Sequence, residues 1–338
     1  AIAIRGKKKI ESNNPEQIKE ITRRVNKALN RADFMMKIIN NRLFRMVGKM
    51  ARSGPAVTRN PGDLWRLVLK KYGTMGITAM SAENGDSPVM NWKGAGFKDF
   101  PLDRSSKISD DAVLKFEVKK YGCYSCPIRC GGIVAVKEGP YPIEESHKPE
   151  YETLCAFGTL TLTDDLYALF KINDLCNRGG VDTISCGAAV AFAIECYEQG
   201  VITKEDTGGL ELSWGNSKAI IKLVEMISNR EGIGDILADG VKRASEKLGK
   251  GSEKWAIHAG GQELPMHDPK FDPGYGIAYE CEPTPGRHTI ASYTWQDLIG
   301  IDRFFKDAQP LKMMTSKRER LDPKARITNQ VLNSKLAQ

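Results

Sequence analysis

The sequence predicts a mainly α-helical protein with little β structure. Apolar residues recur every three to four positions along most of the chain, which is the spacing of one helix face. Alternating apolar and polar residues, the pattern of a half-buried strand, are scarce, and the best example is GGIVAV at 131–136. Gly200 and Gly249 stand where two periodic segments stop, and glycine commonly ends helices.

The first predicted helix begins after Asn14, whose side chain can cap free backbone N–H groups, with Pro15 at the first helical position. Its apolar residues continue at three- and four-residue steps as far as Met46, as one amphipathic helix or two in tandem. Periodicity predicts further helices at 61–72, 110–121, 164–178, 183–199, 216–229 and 234–248.

Three segments are predicted not to be helical. GGIVAV is predicted to form one arm of a hairpin that ends at 138–140, and AIAIRG at 1–6 has the pattern of a short strand. Residues 73–108 are rich in Gly, Ser, Asn and Pro, which predicts a long irregular segment of the kind that often carries function. No partner strand follows AIAIRG closely and the helical pattern of 322–338 has no stop signal, so we expect a piece of a longer polypeptide.

Composition excludes some classes of protein. With 338 residues and 41% apolar side chains the chain can bury a large core. It contains neither an apolar run long enough for a membrane span nor the apolar region of a signal peptide, so we expect a cytoplasmic protein. The net charge of +8 fits an anionic cofactor or an acidic protein partner, whereas the short basic runs without aromatics do not favour nucleic-acid binding.

Three of the eight cysteines form a Cys-x2-Cys-x3-Cys motif, Cys123, Cys126 and Cys130. Soft thiolates select zinc or an iron–sulfur cluster. Spacing alone leaves three interpretations open: a [4Fe-4S] cluster, a zinc site that His147 could complete, and buried thiols without a metal. A cluster would need a remote fourth ligand. The remote cysteines are Cys155, Cys176, Cys186, Cys196 and Cys281, and those at 176, 186 and 196 lie in apolar helical segments that predict core positions.

Other segments have both a functional and a plain structural interpretation. Glu150-Tyr151-Glu152 follows a proline and opens an apolar helix, where acidic residues are favourable in any case. CNRGGVDTIS at 176–185 has glycines and a helix start that can bind an anion, or it is an ordinary helix connection in which Asp182 caps the next helix. His288 follows a Gly/Pro-rich stretch and is predicted to lie on a loop, where histidines are usually solvated.

Taken in order, seven segments resemble the tungsten-containing aldehyde ferredoxin oxidoreductase family. They extend across nearly the whole chain in the family's order and at about its spacing, so together they are far more specific than any one of them. The segments are KYGTMG at 71–76, SPVMNW at 87–92, GCYSCPIRCGG at 122–132, PEYETL at 149–154, NDLCNRGGVDTISCG at 173–187, REGIGDILADG at 230–240 and ELPMHDPKFDPGYGIAY at 263–279.

The resemblance implies the domain organisation. In that family an N-terminal β domain holds two pterins joined through tungsten, and two largely helical domains close over it. Residues 1–10 then resemble the tail of the β domain, 11–252 a helical domain that carries the cysteine motif, and 253–338 part of a second helical domain. The expected fold class is mainly α, with two helical domains of the aldehyde ferredoxin oxidoreductase C-terminal type and little β. An isolated fragment of this kind is expected to be inactive.

The resemblance also implies the metal ligands. Cys123, Cys126 and Cys130 match three ligands of a [4Fe-4S] cluster close to one pterin, and Arg129 would place positive charge beside it. In the family the fourth ligand belongs to a later Asp-x-x-Gly-Leu-Cys motif. The present 338 residues contain no such motif, and by spacing it would come near or beyond residue 338.

Two residues match catalytic positions of the family. Glu152 matches the glutamate beside the tungsten, which helps to activate a water or hydroxide, or carries a proton. His288 matches the active-site histidine, which would hydrogen-bond the substrate carbonyl oxygen and exchange a proton.

Residues 177–182 match the family's pterin motif, in which an acid accepts hydrogen bonds from the pterin ring. Gly180, Val181 and Asp182 follow the pattern, whereas Asn177 replaces the first acid and offers an uncharged acceptor.

The segment that starts at Asp268 also binds cofactor in the family. Lys270 stands where arginine is common, which keeps the charge and loses the planar fork. Residues 280–282, Glu-Cys-Glu, occupy a region that is usually small and neutral. Because of these departures, the resemblance identifies the cofactor more closely than the substrate.

The implied reaction is oxidation of a small aldehyde to a carboxylic acid at tungsten or molybdenum held by two pterins, with electrons passed through the cluster to ferredoxin. Two alternatives stay open: an aromatic acyl-CoA reductase subunit of the same family, which would take an acyl substrate, and a non-catalytic zinc-binding helical scaffold. Neither nucleic acid nor a membrane span is expected. The oligomeric state is not determined by the sequence, and a homo-oligomer remains open.

Overall fold

The fold is described from a computed structural model, which defines residues 5–6, 12–30, 37–40, 42–43, 45–46, 49, 62–124, 126–282, 284 and 286–288. The strand predicted at 1–6 and the helical pattern at 322–338 lie at least partly outside these residues. The described helices are α1 Pro15–Asn30, α2 Gly62–Tyr72, α3 Thr78–Asn84, α4 Gly96–Asp99, α5 Leu102–Ser105, α6 Asp110–Leu114, α7 Tyr151–Leu154, α8 Leu166–Gly179, α9 Thr183–Glu198, α10 Ser217–Asn229, α11 Ile233–Leu237, α12 Val241–Leu248 and α13 Pro273–Cys281.

The β structure consists of two small antiparallel sheets. One has the order β1 Glu117–Tyr121, β2 Gly131–Val136 and β3 Ile143–His147, and the other pairs β4 His258–Ala259 with β5 Gln262–Glu263. The predicted hairpin arm GGIVAV is confirmed as the central strand β2. The predicted class, mainly α with little β, is confirmed.

Side-chain caps begin the longer helices where the sequence places Asp and Asn. Asn14 accepts a hydrogen bond from the backbone N–H of Gln17 at 3.1 Å, so the predicted start of α1 is confirmed. Asp165, Asp182 and Asn216 cap α8, α9 and α10 in the same way. The predicted helices at 164–178, 183–199 and 216–229 therefore agree with the structure to within two residues at each end.

The helix predicted at 110–121 is wrong in its second half. The helix ends at Leu114, and residues 117–121 form β1. In that strand Lys120 lies opposite Gly132 and Tyr121 opposite Gly131, so pairing with β2 determines the conformation. A helical pattern is overridden here because an adjacent strand satisfies the backbone hydrogen bonds.

The helix predicted at 234–248 is two helices, α11 and α12, divided at Gly240. This glycine has φ +87°, and a Cβ there would lie 2.7 Å from Oε1 of Glu263. The same Oε1 accepts a hydrogen bond from the backbone N–H of Val241 at 2.7 Å, so Glu263 caps α12 from β5. A distant side chain thus starts the second helix.

The segment predicted to be irregular, 73–108, contains a 3₁₀ turn at Thr74–Ile77 and three short helices, α3, α4 and α5. Phe100 and Ile108 are fully buried, and these two side chains fix the segment against the core. The prediction was wrong about local structure because turn-forming residues separate helices too short to show periodicity.

Helix α9 forms the centre of the core. Eleven of its 16 residues are buried, and it is apolar on all sides, as expected of a helix surrounded by protein. Helices α8, α10, α11 and α12 pack around it. By contrast, Ile18, Ile21 and Val25 on α1 are about half exposed. The predicted amphipathic face of α1 is thus not part of this core.

No single described helix is long and apolar enough to cross a membrane, although α8 and α9, bent by 119° to each other, pass that test as a pair on length and composition.

Gly234 is expected to be intolerant of any side chain. A Cβ at this position in α11 would lie 2.2 Å from the carbonyl carbon of Met226 and 2.6 Å from the backbone nitrogen of Ile227, both in α10. Gly234→Ala should therefore lower the free energy of unfolding by about 1–3 kcal/mol, because the two backbones must move apart. Urea unfolding measures this, with Gly6→Ala as the control since a Cβ there meets nothing within 4 Å. Equal midpoints for the two variants would contradict the expectation.

Candidate functional site

Glu152 lies in the short helix α7, just before a π-helical turn at Cys155–Thr159. Its Oε2 accepts a hydrogen bond from the backbone N–H of Met266 at 2.8 Å. Its Oε1 is buried and has no hydrogen-bond partner. Burial raises the pKa of Glu152 above the ordinary value, although His267 acts in the opposite direction. A carboxylate with one free, buried oxygen and a raised pKa is suited to accept a proton.

Two histidines face that free oxygen. Nε2 of His267 lies 3.7 Å from Oε1 of Glu152, and Nε2 of His288 lies 3.8 Å from the same atom. One ligand atom from each of these three residues lies within 4.8 Å of the others, and among the described residues no other such trio of His, Cys, Asp or Glu is found. Burial lowers the pKa of His288 to about 4, so its imidazole is neutral near pH 7. Both predicted catalytic residues therefore meet at one point.

His267 and Asp86 were not singled out from the sequence. The Nδ1 of His267 is 2.9 Å from Oδ2 of Asp86, across 181 residues of chain. The only local signals are that His267 precedes the Asp-Pro pair of the ELPMHDP segment and that Asp86 directly precedes the SPVMNW segment. A pairing of this kind can be recognised only after folding.

The cysteine motif occupies the connection between β1 and β2. The backbone N–H of Cys126 donates to the carbonyl of Cys123 at 3.0 Å, which closes a tight turn, and Arg129 has φ +55°. Backbone N–H groups of Arg129 and Ile128 lower the pKa of the Cys126 thiol. They stabilise the thiolate, which is the form that binds metal, so the loop fits a thiolate-ligated group.

The loop is also packed closely against the rest of the protein. A Cβ on Gly73 would lie 2.7 Å from the carbonyl oxygen of Cys130, so only glycine allows this approach. Burial raises the pKa of Cys130, while Cys123 is exposed. The side chain of Arg129 is exposed and reaches the carbonyl of Lys120 at 3.5 Å. Arg129 therefore lies on the same loop as the thiols, and its place beside a bound cluster stays a prediction.

The remaining cysteines differ in exposure. Cys176, Cys186 and Cys196 are buried, so their prediction as core residues is confirmed. Cys155 is buried as well, and burial raises its pKa to about 12. Cys281 is exposed. His147, considered as a zinc ligand, has its Nδ1 at 3.2 Å from the hydroxyl of Tyr121.

A short segment connects the cysteine loop to Glu152. The buried Lys148 forms an ion pair with Glu117 of β1 at 2.5 Å, and its backbone N–H donates to Gly132 of β2 at 2.8 Å. Two residues further on, Glu150 adds negative charge near Cys130 and accepts a hydrogen bond from the hydroxyl of Thr74. The sheet that carries the cysteines thus positions α7 and its glutamate.

The predicted pterin motif lines a cavity of about 440 Å³ between α8, α9 and α10. Gly180, Val181 and Asp182 lie on its wall, together with Arg230 and Gly240. Asn177, by contrast, is exposed on the last turn of α8 and lies outside the lining. The structure therefore brings three of the four motif residues to one cavity.

This cavity has features that a pterin needs. The N-terminus of the 16-residue helix α9 opens onto it, and that end of a helix attracts anions. Oδ2 of Asp182 caps α9 by accepting a hydrogen bond from the backbone N–H of Ser185 at 2.8 Å. The hydroxyls of Thr153 and Thr183 are 2.9 Å apart, which joins this wall to the helix of Glu152. The N-terminus of α9 fits the phosphate of a pterin cofactor, and the Asp182 carboxylate can accept hydrogen bonds from its ring N–H groups.

Asp268 and Lys270 bind each other. Nζ of Lys270 lies 2.8 Å from Oδ2 of Asp268 and also donates to the carbonyl of Trp92. The backbone N–H of Asp268 donates to the carbonyl of Asp86 at 2.6 Å, next to the histidine cluster. Asp268 therefore contacts the cluster directly, and Lys270 is joined to it through Asp268.

A second cavity, of about 600 Å³, lies beside the cysteine loop. Its wall is strongly basic and includes Pro127, Ile128, Arg129, Lys37, Lys70, Lys71 and Lys120. Positive charge here would offset the negative charge of a thiolate-ligated cluster, or of an acidic surface that approaches it.

Residues 53–334 match the family described as "Aldehyde ferredoxin oxidoreductase, domains 2 & 3". The chain is 34% identical over 221 residues to the tungsten-containing aldehyde ferredoxin oxidoreductase of Pyrococcus furiosus, which covers 65% of this chain and 35% of that protein. It is 32% identical over 232 residues to an aliphatic sulfonate oxidoreductase, WOR-like subunit, of the same organism, with 65% and 36% covered.

Among solved structures, the active-site complex BamBC of benzoyl coenzyme A reductase, bound to 1,5-dienoyl-CoA, aligns with a TM-score of 0.53. The alignment covers 74% of this chain and 40% of that one at 20% identity, so it shows a shared fold. The chain spans about a third of the length of the curated relatives that it matches. By the extent of its family match, the chain belongs to the aldehyde ferredoxin oxidoreductase family, over that family's second and third domains.

Proposed function

We propose that the chain is part of a tungsten, or molybdenum, bis-pterin oxidoreductase that oxidises an aldehyde to a carboxylic acid. Electrons would leave through a [4Fe-4S] cluster to ferredoxin or a similar carrier. The main support is that Oε1 of Glu152, buried and without a hydrogen bond, faces Nε2 of His288 at 3.8 Å. A base and a hydrogen-bond donor from distant parts of the chain are thereby held at one point.

The proposed roles of the protein groups follow from their protonation. Oxidation of an aldehyde to a carboxylic acid takes an oxygen atom from water and releases two electrons and two protons, and a bound tungsten–pterin group would supply the electron acceptor. Glu152, in its ionised form, would take a proton from the attacking water through Oε1. His288 is neutral near pH 7, because burial lowers its pKa to about 4, and can donate a ring N–H to the carbonyl oxygen of the substrate.

Cofactor-binding roles are proposed for the following residues. Gly180, Val181 and Asp182 would hold one pterin in the 440 Å³ cavity, and Asn177, outside its lining, would have to reach the pterin from the end of α8. Asp268 with Lys270 would contact the cofactor from the side of the histidines. Cys123, Cys126 and Cys130 would bind the cluster, with Arg129 beside it. The basic cavity next to this loop fits an acidic carrier protein.

The substrate can be tested by feeding the full-length holoenzyme benzaldehyde and benzoyl-CoA separately. We expect reduction of a redox dye with benzaldehyde and no dearomatisation of benzoyl-CoA with a low-potential donor. Turnover of benzoyl-CoA alone would instead support the acyl-CoA reductase alternative. Aliphatic sulfonate substrates form a third arm, because one relative carries that activity in its name.

The zinc-scaffold alternative is tested by metal analysis of anaerobically purified protein. Four thiolates or histidines around one zinc lie about 3.8 Å apart, whereas cluster ligands bind different irons and lie further apart. The cysteine motif could serve either group, so the metal that is bound distinguishes the two alternatives. Iron with acid-labile sulfide is the expected result. Zinc without iron or sulfide would contradict it.

A further inference from the structure

The ring of His267 is held by contacts on several sides. Tyr151 stacks on one face of its ring with centroids 5.0 Å apart, and Tyr275 stacks at 4.9 Å. Its Nδ1 lies 2.9 and 3.1 Å from the two carboxylate oxygens of Asp86, and its carbonyl accepts the hydroxyl of Tyr279 at 2.8 Å. With Nδ1 bound to a carboxylate, the ring can turn only Nε2 toward Glu152.

Asp86 is fixed in turn. Oδ2 of Asp86 accepts the hydroxyl of Ser81 at 2.5 Å, and that hydroxyl lies 2.7 Å from the hydroxyl of Tyr151. Asp86 and His267 are both buried, at 8% and 4% exposure. A carboxylate buried beside an imidazole favours the charged imidazolium.

We propose that His267 is a positioning residue, which holds the free oxygen of Glu152 in its proton-accepting, ionised state and directs it toward the space shared with His288. This inference rests on the proposed function, in which Glu152 is the base. The distance of 3.7 Å from Nε2 to Oε1 is an ion-pair distance and leaves Oε1 without a hydrogen bond, so the oxygen stays available to an incoming water.

The protonation states agree with this geometry. Burial by itself lowers the pKa of His267, but Asp86 and Glu152 outweigh it and raise the pKa above the ordinary value. Burial raises the pKa of Glu152, and the attraction by His267 is the largest opposing effect, larger than the repulsion by Asp86. An imidazolium between two carboxylates therefore keeps Glu152 ionised to lower pH than burial alone would allow.

Other titratable groups face the same cluster and must be included in any pH profile. The groups on the packed elements are His288, Asp268 with its partner Lys270, Asp182, Arg287, Cys155, Tyr151, Tyr275 and Tyr279. The pKa of Tyr151, Tyr279 and Cys155 is raised by burial, so these three stay neutral. Asp268 forms an ion pair with Lys270. Asp86 and Glu152 are therefore the carboxylates that act on His267.

The test is an infrared pH titration of the full-length holoenzyme. The carboxyl band of Glu152 is assigned as the band that disappears in the Glu152→Gln variant. This readout needs no turnover. His267→Gln should raise the midpoint of that band by about one pH unit or more, because an opposite charge within about 4–6 Å is removed. The acidic limb of the kcat/KM profile should move up by the same amount. A midpoint that stays or falls would overturn the proposal.

Asp86→Asn provides a second variant, in which His267 is kept. In the parent it should raise the Glu152 midpoint, because the imidazole loses its proton. In the His267→Gln background it should lower the midpoint, because only direct repulsion between the two carboxylates is then removed. A merely structural role of His267 would not reverse the direction in which Asp86→Asn moves the midpoint. If the direction is the same in both backgrounds, the effect of Asp86 on Glu152 does not pass through His267.

Matched controls are His258→Gln, at a histidine on β4, and Glu195→Gln, at a buried carboxylate bonded to Asn91. Both should leave the midpoint unchanged.

Glu152, His267 and His288 each offer one atom that could also bind a divalent ion. The titration is therefore repeated after treatment with a chelator, and the metal content is measured before and after. A bound ion whose removal moves the midpoint would overturn the proposal. If the infrared midpoint moves while the kcat/KM limb does not, the positioning stands and the assignment of Glu152 as base fails.

Discussion

Glu152→Gln is expected to lower kcat/KM for aldehyde oxidation by about 10²–10⁴-fold in the full-length holoenzyme. Glutamine keeps the shape of the side chain and can still accept from the Met266 N–H, but it cannot take a proton from water at Oε1. Since burial raises the pKa of Glu152, the acidic limb of the parent's profile should lie above the pH at which an ordinary glutamate titrates. Steady-state kinetics across pH measures both effects.

The matched control for this variant is Glu195→Gln, which neutralises a buried carboxylate that hydrogen-bonds Asn91 at 2.6 Å, outside the cluster. Tungsten, pterin and iron contents are measured for both proteins, because only a loss of rate at full cofactor content tests the role of the carboxylate. A Glu152→Gln enzyme with undiminished kcat/KM would rule out Glu152 as the base.

Cys126→Ser is expected to abolish the cluster. The backbone N–H groups of Ile128 and Arg129 lower the pKa of this thiol and so favour the thiolate, whereas a serine hydroxyl stays protonated and is a harder, weaker ligand for iron. Iron and acid-labile sulfide should fall to near background in anaerobically purified protein, and the cluster's electron paramagnetic resonance signal should disappear on reduction. Transfer of electrons to ferredoxin should be lost with it.

Cys281→Ser serves as the matched control, because Cys281 is exposed and lies outside the Cys-x2-Cys-x3-Cys loop. It should retain parental iron and sulfide. Full iron content in Cys126→Ser would show that the motif does not bind the cluster. Loss in both variants would mean that the loop alone does not define the ligand set.

Much of the fold could be predicted because its determinants are local. The periodicity of apolar residues after Asp182 predicts helix α9, and the cap at this residue is present in the structure. The division at Gly240 could not be predicted, because its cause is Glu263, which reaches from β5 to the N–H of Val241. Strand β1 was missed for the same kind of reason: its partner β2 lies ten residues or more along the chain.

The sequence by itself indicated the family, the mainly helical class and the cysteine motif, because these depend on segments and spacings that a sequence displays directly. The resemblance to the family, and not spacing alone, pointed to Glu152 and His288 as candidate residues. Only the tertiary structure decided that the two residues face each other, and that Asp86 and His267 complete the cluster across 181 residues. The physical reason is that protonation depends on burial and on charges within a few ångströms, and packing of distant segments sets both.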